Sequence, residues 1–415
     1  MVQGAQQQAA LVSSSRPPKS GHRSRAETGM DLTRRAYLGG IGAAFGAGLM
    51  PGGANAQIKP LPSLPSTMIW SVGDDDGPRY KEAQAIADAI SKAHGTRIRL
   101  QPSERAFGRM EQLKERQVTL GLLGTEAFFA AEGLFSYVAP TWGPQDLRSL
   151  LGRMSSMSIV ATQASGIRTL ADVKGKRLAR VPENIALTYR LDAILDTAGI
   201  ALKDLTVVEF PSVSYSLAAL GRGEVDCAGA VPTAGSASAL ESQADAIVWI
   251  ELPGSDKDFW GKLQRALPLV MPYVEDTGPG ISKAAPKAIV GYRDPVVTVY
   301  ADAGELEMYA VTKAIAENFE AYSQAVPIME RWELPRSAGF PTALPFHDGA
   351  IRYLKEKNVW TADHQRWHDG MMRRHTRLRQ GWAEMMAKEP AAKDADPAKL
   401  TELWAPRRAD ILKSL

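Results

Sequence analysis

Short apolar runs recur along the chain at 67–72, 97–101, 118–123, 157–161, 205–210, 225–230, 246–250 and 296–300. Each has the length of a strand, and between most of them the apolar residues instead fall three and four apart, the spacing of one buried helix face. Residues 81–94 put Ala83, Ile86, Ala87 and Ile90 on such a face, and Gly95 stops the pattern. A second helical stretch carries Leu187, Leu191, Ile194, Leu195 and Ala198 and closes at Gly199, and a third runs Met308, Val311, Ile315, Phe319, Tyr322. Strands alternating with helices predict an α/β fold with mainly parallel sheets covered by helices on both faces. Ligands of such sheets sit in loops beyond the carboxyl ends of the strands. After residue 345 the pattern turns helical and charged. Residues 390–415 are polar and punctuated by Pro390, Pro397 and Pro406, which predicts a loosely packed extension.

The length, 415 residues, is enough for two lobes rather than one small core. Lys and Arg number 49 against 46 Asp and Glu. The excess lies in the first 56 residues, which hold Arg16, Lys19, Arg23, Arg25, Arg34 and Arg35 against Glu27 and Asp31. The remaining body is close to neutral, so charge gives no case for nucleic-acid binding. The single cysteine, Cys227, excludes an intrachain disulfide and a cysteine-based metal cluster. Near the start, residues 31–38 read Asp-Leu-Thr-Arg-Arg-Ala-Tyr-Leu; a Gly- and Ala-rich stretch follows to Met50, and then Ala54-Asn55-Ala56. Paired arginines, a weakly apolar stretch and a small-x-small site predict a twin-arginine signal peptide over 30–56, hence a periplasmic protein. The apolar stretch is well short of the roughly 20 residues of a membrane span. Residues 1–29 read as a disordered or mis-assigned leader, with Met30 as a candidate start.

Several segments resemble, in order, the TAXI family of TRAP-transporter solute-binding subunits. Residues 345–356, Pro-Phe-His-Asp-Gly-Ala-Ile-Arg-Tyr-Leu-Lys-Glu, with Trp360 beyond, are similar to its C-terminal signature. Residues 165–177, from Ser165-Gly166-Ile167 to Gly175-Lys176-Arg177, resemble its entry into the second lobe, and 220–228, with Gly223 and Asp226, resemble a further motif. Pro232-Thr233 stands where the family has a Pro-Thr turn. The resemblance spans about 66–385. It implies a two-lobed type II periplasmic binding fold with the ligand between the lobes and a helical C-terminal extension. It also implies a non-enzymatic monomer, without cofactor, that captures a small carboxylate-bearing organic solute and delivers it to TRAP membrane subunits. The lobe boundaries expected are 66–154 with a return at 316–389 for the first lobe, 155–315 for the second, and 390–415 as extension.

The candidate binding loops differ from that family in charge. Gly73 to Tyr80 carries Asp74, Asp75 and Asp76, and 181–188 carries Glu183 and Asn184 in place of glycines. The acids either meet ligand, favouring a zwitterion such as an amino acid or a cationic solute over a dicarboxylate, or cap the following helices. Arg105 or Arg109 is available to clamp a carboxylate with two parallel bonds. Arg109 is expected to lie exposed on its helix, with Asn184 facing it from the other lobe. Thr125, Glu126, Pro232 and Thr233 complete the candidate ligand contacts, and Tyr80, Phe128, Tyr137, Trp142 and Tyr215 are candidate aromatic walls.

Catalytic patterns are weak. The chain holds no Ser-centred nucleophile elbow, no P-loop and no Gly-x-Gly-x-x-Gly after a strand. His347 is expected to bond locally at a helix start. His364 and His368 are four apart with His375 further along, a spacing that suits a metal, yet no third ligand is placed, so a solvated helix face is the expectation. Cys227 lies in an apolar strand pattern and reads as an inert buried thiol. A ligand sensor for a signalling system and, less favoured, a pyrimidine-processing enzyme on the same fold are the alternatives.

Overall fold

A computed structural model describes residues 63–74, 77–242, 247–389, 392 and 394–415. The leader, the signal-peptide pattern, Asp75, Asp76 and Pro390 lie outside the described residues. Among the described residues ten strands form one sheet of mixed direction: β1 (Thr67–Val72), β2 (Arg97–Pro102), β3 (Leu120–Leu123), β4 (Leu147–Thr162), β5 (Arg177–Arg180), β6 (Thr206–Glu209), β7 (Cys227–Ala230), β8 (Ile247–Trp249), β9 (Val270–Glu275) and β10 (Lys287–Tyr300). Their order is β2-β1-β3-β10-β4-β7-β5-β6, with β8 on β4 and β9 on β10. The helices are α1 (Pro78–His94), α2 (Ala106–Lys114), α3 (Thr125–Glu132), α4 (Ile185–Thr197), α5 (Val213–Gly221), α6 (Gly235–Glu241), α7 (Lys257–Ala266), α8 (Glu305–Glu317), α9 (Phe319–Tyr322), α10 (Asp348–Glu356), α11 (Ala362–Lys388) and α12 (Pro397–Lys413).

The α/β fold is two-lobed, and β4 and β10 carry the chain between the lobes. Over 147–157 strand β4 pairs with β10; from 158 to 162 it pairs with β7 and β8 instead. The first lobe therefore holds β2-β1-β3-β10 and the second β7-β5-β6. The expectation of mainly parallel sheets needs correcting. The pairs β1/β2, β1/β3, β5/β6 and β5/β7 are parallel, but β10 runs antiparallel to β3, β4 and β9, and β4 antiparallel to β7 and β8.

Local sequence explains most elements. Pro78 at the first position of α1 needs no hydrogen-bond partner for a missing N–H, and Gly95, at φ +68°, ends the helix with its N–H on Ser91 O. Strand β3 is wholly buried and wholly apolar or glycine, as an interior strand covered on both faces should be. Two large cores result. One joins Met68, Trp70, Ile86, Val297, Met308, Trp332 and Phe346 beneath α1, α8 and α10. The other runs through both lobes, packing Met110, Phe128 and Phe129 with Leu178, Leu187, Leu191 and Cys227. The lobes therefore meet across a packed apolar junction.

Residues 397–413, expected to be loose, form α12, with Leu400 and Trp404 buried against α11. The pattern that supports it, Leu400, Leu403, Trp404, Ile411, is broken by Pro406, which sits inside the helix. The histidines of α11 are not on a solvated face: His364 and His368 are buried and His375 is fully so. His364 completes a capping box with Thr361, and His368 Nδ1 accepts the Phe346 N–H at 3.2 Å. Among the described residues no group of three His, Cys, Asp or Glu side chains is placed to hold a metal, and no helix is long and apolar enough to cross a membrane.

Burial holds His347, His364 and His368 below the ordinary histidine pKa and pushes His375 down to about 4, the nearby Glu132 offsetting this only in part. An unfolded histidine takes a proton near pH 6.5, while His375 in the fold resists until about pH 4. The unfolded chain thus binds more protons in that window, and stability, full above pH 6.5, falls as pH drops through it. The His375 contribution lost by pH 4 is about 3 kcal/mol. Urea unfolding at pH 7.5 and pH 4.5 should show the loss, and His375→Leu should flatten the curve. An equally steep curve in that variant would remove His375 from the account.

Candidate functional site at the interlobe junction

The first turn of α3 is the hub. Gly124, which precedes it, lets charged groups converge: a Cβ there would lie 2.8 Å from both Asp294 Oδ2 and Glu126 Oε2 and 3.3 Å from Arg79 Nη1. Helix α2 delivers Arg109, whose Nε and Nη2 donate to Glu126 Oε1 at 3.0 and 2.8 Å while Nη1 donates to Ser103 O and Glu104 O. Helix α1 delivers Arg79, with Nη2 2.6 Å from Asp294 Oδ1 on β10. From the second lobe, α4 delivers Arg190. It donates to Thr125 Oγ1 and, through Nε, to Met157 Sδ at 3.2 Å, and its guanidinium lies 4.0 Å from the Tyr292 ring centre.

Arg109, Thr125, Glu126, Arg190, Tyr292 and Asp294 are all buried. Burial alone pushes the Glu126 carboxyl upward, but the guanidiniums of Arg109 and Arg79 outweigh it and hold the group below its usual range. Asp294 in turn raises Arg79 further above its already high value. Three guanidiniums thus face two carboxylates, an excess of one positive charge where the lobes meet. An excess buried cation is costly unless an anion joins it, so the arrangement suits a single anionic group such as a carboxylate, held by arginine forks.

The candidate residues from the sequence divide sharply. Arg109, Thr125 and Glu126 come together as described, but Arg109 is buried and paired rather than exposed. Arg105 is exposed at the N-cap of α2. Asp74 is exposed, and the N-cap of α1 is Gly77 with no side-chain bond, so Asp74 does not cap that helix. Tyr80 is half-buried against the first-lobe core. Glu183 and Asn184 are exposed, and Asn184 Oδ1 accepts the Leu187 N–H at 3.1 Å as the N-cap of α4. Arg190 and Tyr189, rather than Asn184, reach polar and aromatic groups of the first lobe, Thr125 and Phe129. Pro232 is buried in a turn beside Gly278, whose added Cβ would lie 2.8 Å from the proline ring; Thr233 is half-buried.

Among the aromatics, Phe128 and Tyr137 are core residues, and Tyr137 and Trp142 stack with Phe107 rather than lining a pocket. Tyr215 is 64% exposed. Cys227 is fully buried and its thiol is pushed up to about 12 by that burial. Sequence reasoning missed Arg79, Arg190, Tyr292 and Asp294. Arg190 stands one residue before Leu191, an apolar face position of α4, and reads as a solvated arginine until the facing lobe is in place.

The NMT1-like family matches residues 77–357, just over two thirds of the chain. No curated protein matches. Among solved structures, the periplasmic aliphatic sulphonate binding protein of Escherichia coli is 16% identical over 74% of this chain and 91% of its own, with a TM-score of 0.41. The second substrate binding domain of Lactococcus lactis GlnP is 10% identical over 66% of this chain and 98% of its own, with a TM-score of 0.37. An amino acid transporter substrate-binding protein of Streptococcus pneumoniae, bound to L-arginine, is 11% identical over 64% and 94%, with a TM-score of 0.35.

Proposed function

The chain belongs to the NMT1-like family, and from that premise we propose that it captures a small carboxylate-bearing organic solute between its lobes and delivers it to TRAP-type membrane subunits, as a TAXI-like binding protein. The observation that carries this reading is the excess of one guanidinium at the junction, Arg79, Arg109 and Arg190 against Glu126 and Asp294, with Arg109 and Arg190 buried and Arg79 half-buried. A monoanion there completes the charge balance and touches both lobes, so it favours their closed arrangement. The two buried carboxylates offer acceptors for an ammonium, which extends the ligand class to amino acids. The chemistry asked of the site is binding: Cys227 is an inert thiol, and His347 serves as the N-cap of α10, accepting the Gly349 N–H at 3.1 Å.

Thermal-shift measurements across monocarboxylates, amino acids, dicarboxylates, alkanesulfonates and polyamines test the reading. A true ligand at a hundredfold excess over Kd adds about 2.7 kcal/mol of stability. The expected responders carry a carboxylate, with or without an amine; a response confined to polyamines would overturn the proposal. The placement in the periplasm rests on Arg34-Arg35 and Ala54-Asn55-Ala56. Replacing both arginines by lysine should keep the precursor in the cytoplasm, and an undiminished periplasmic yield would exclude that export route.

A further inference from the structure

Helices α11 and α12 lie beyond the family-matched span, which ends at residue 357, and add no strand to either lobe. They pack on each other through a small core of Leu378, Trp382, Met385, Leu400 and Trp404. The rings of Trp382 and Trp404 meet edge to face at 5.3 Å, and the helices approach so closely that a Cβ at Gly381 would lie 2.3 Å from Ile411 Cδ1. Ion pairs hold the hairpin to the first lobe: Arg374 and Arg408 pair with Glu132, and Arg379 with Asp146. It is therefore a fixed element, and its exposed side is free of those contacts.

On that side a groove of about 470 Å³ runs between the two helices. Leu403, Pro406, Arg407, Asp410 and Ile411 line it from α12, and Arg377 lines it from α11. The α12 residues recur three and four positions apart, so they form one stripe along the helix. From 403 to 411 the stripe is about 12 Å long, a little over two turns. Its apolar part is Leu403, the Pro406 ring and Ile411. Asp410 is answered on its own helix, with Lys413 Nζ 3.4 Å from its Oδ1. Arg377 is exposed and Arg407 half-buried, and neither has a carboxylate within ion-pair distance among the described residues. Arg373, one turn earlier on α11, is exposed and likewise unpaired among them. An apolar strip thus lies between uncompensated guanidiniums on a protein whose body is otherwise close to neutral.

We propose that this groove docks an acidic amphipathic helix of a partner protein. The strip takes apolar side chains at the i, i+3, i+4 and i+7 positions of such a helix, and Arg377 and Arg407 fork onto the Asp or Glu residues that flank them. A concave groove between two helices fits a rod-shaped segment better than a flat bilayer. Two turns of contact with charges at the rim make a weak, salt-dependent complex in the micromolar range. The inference goes beyond solute capture and requires nothing of the interlobe junction, so either can fail without the other.

The test titrates the full chain, by fluorescence polarisation, into a labelled synthetic helix with leucines at helical spacing flanked by glutamates. Binding should saturate. It should weaken about threefold in Arg377→Gln and in Arg407→Gln and about tenfold in the double variant. Lys203→Gln, at an exposed position of the second lobe, should bind as the parent does. Glutamine in place of the peptide's glutamates should cost the parent about the same tenfold and the double variant almost nothing, which ties the arginines to those carboxylates. The substitutions lie outside the hairpin core, so the unfolding midpoint should stay unchanged. An absence of saturable binding would overturn the proposal, as would an unchanged affinity in the double variant or equal binding of a scrambled peptide of the same composition. Co-sedimentation with phosphatidylglycerol–phosphatidylethanolamine vesicles, lost in the double variant and unaccompanied by peptide binding, would assign the groove to a membrane instead. A concentration-dependent dimer lost in that variant would assign it to a second copy of this chain. Either result would overturn the acidic-helix partner.

Discussion

Gly349→Ala should destabilise the protein by about 3 kcal/mol, although helix propensity alone predicts the reverse. Alanine is better than glycine in a helix by about 1 kcal/mol, and Gly349 lies in the first turn of α10. The decisive term is steric. A Cβ there would lie 2.4 Å from Glu305 O, 2.5 Å from Tyr309 N and 2.9 Å from the Met308 carbonyl carbon. All three are backbone atoms at the start of α8, so no side chain can swing aside, and α10 itself has to move. Overpacking of this kind costs about 1–3 kcal/mol and occasionally more, and the rigid target places it at the upper end. The same turn is held by His347, whose Nδ1 accepts the Gly349 N–H and whose Nε2 lies 3.1 Å from Ala303 O. The signature around 345–351 is thereby explained as a helix-on-helix contact. Urea unfolding of Gly349→Ala decides between the two terms: a variant as stable as the parent, or more so, would show that the helices slide apart freely.

Arg109→Ala should cost about 3–5 kcal/mol, because it strands the buried Glu126 carboxylate without the partner that neutralises it. An exposed Arg109 would have been replaceable at almost no cost; the burial of both partners reverses that expectation. Replacing the pair together, Arg109→Met with Glu126→Leu, should recover most of the loss, since a buried ion pair is often no better than apolar residues of similar volume. Solute binding should not recover with it. The double variant retains Arg79, Arg190 and Asp294 but loses the fork and the hydrogen-bond acceptor at the first turn of α3. Comparison of the single and double variants by chemical unfolding and calorimetric titration separates stability from recognition. A double variant that folds and binds as the parent does would remove this pair from the site.

Much of the architecture was legible in the sequence because burial writes itself as periodicity. The faces of α1 and α4 were visible in Ile86, Ile90, Leu187 and Leu191, and their ends in Gly95 and Gly199. Strands β5 and β9 were not. Arg177 and Arg180 bracket two apolar residues in the first, and Pro272 interrupts the second. The first half of β4 hid for a related reason: Arg153 looks solvated in sequence, yet it is buried and forks onto Glu82 at 2.6 and 2.7 Å, 71 positions away. The junction suffered most. Arg79, Arg190 and Asp294 acquire meaning only once α1, α4 and β10 converge, and no local spacing encodes that convergence. Arg109, Thr125 and Glu126 were found through the resemblance of their segments to the TAXI family, not through any local spacing; they stand on α2 and in the first turn of α3.

The most direct measurement of the central claim is a calorimetric titration of the protein with a carboxylate-bearing solute that responds in the thermal screen, set beside its primary amide. The amide keeps the shape and removes the charge. With an excess guanidinium waiting between the lobes, the account predicts saturable binding of the carboxylate and an affinity for the amide at least about a hundredfold weaker, since about 3 kcal/mol separates a charge-assisted fork from a neutral contact. Equal affinities for the two would contradict the assignment of Arg79, Arg109 and Arg190 as the anion-recognising group.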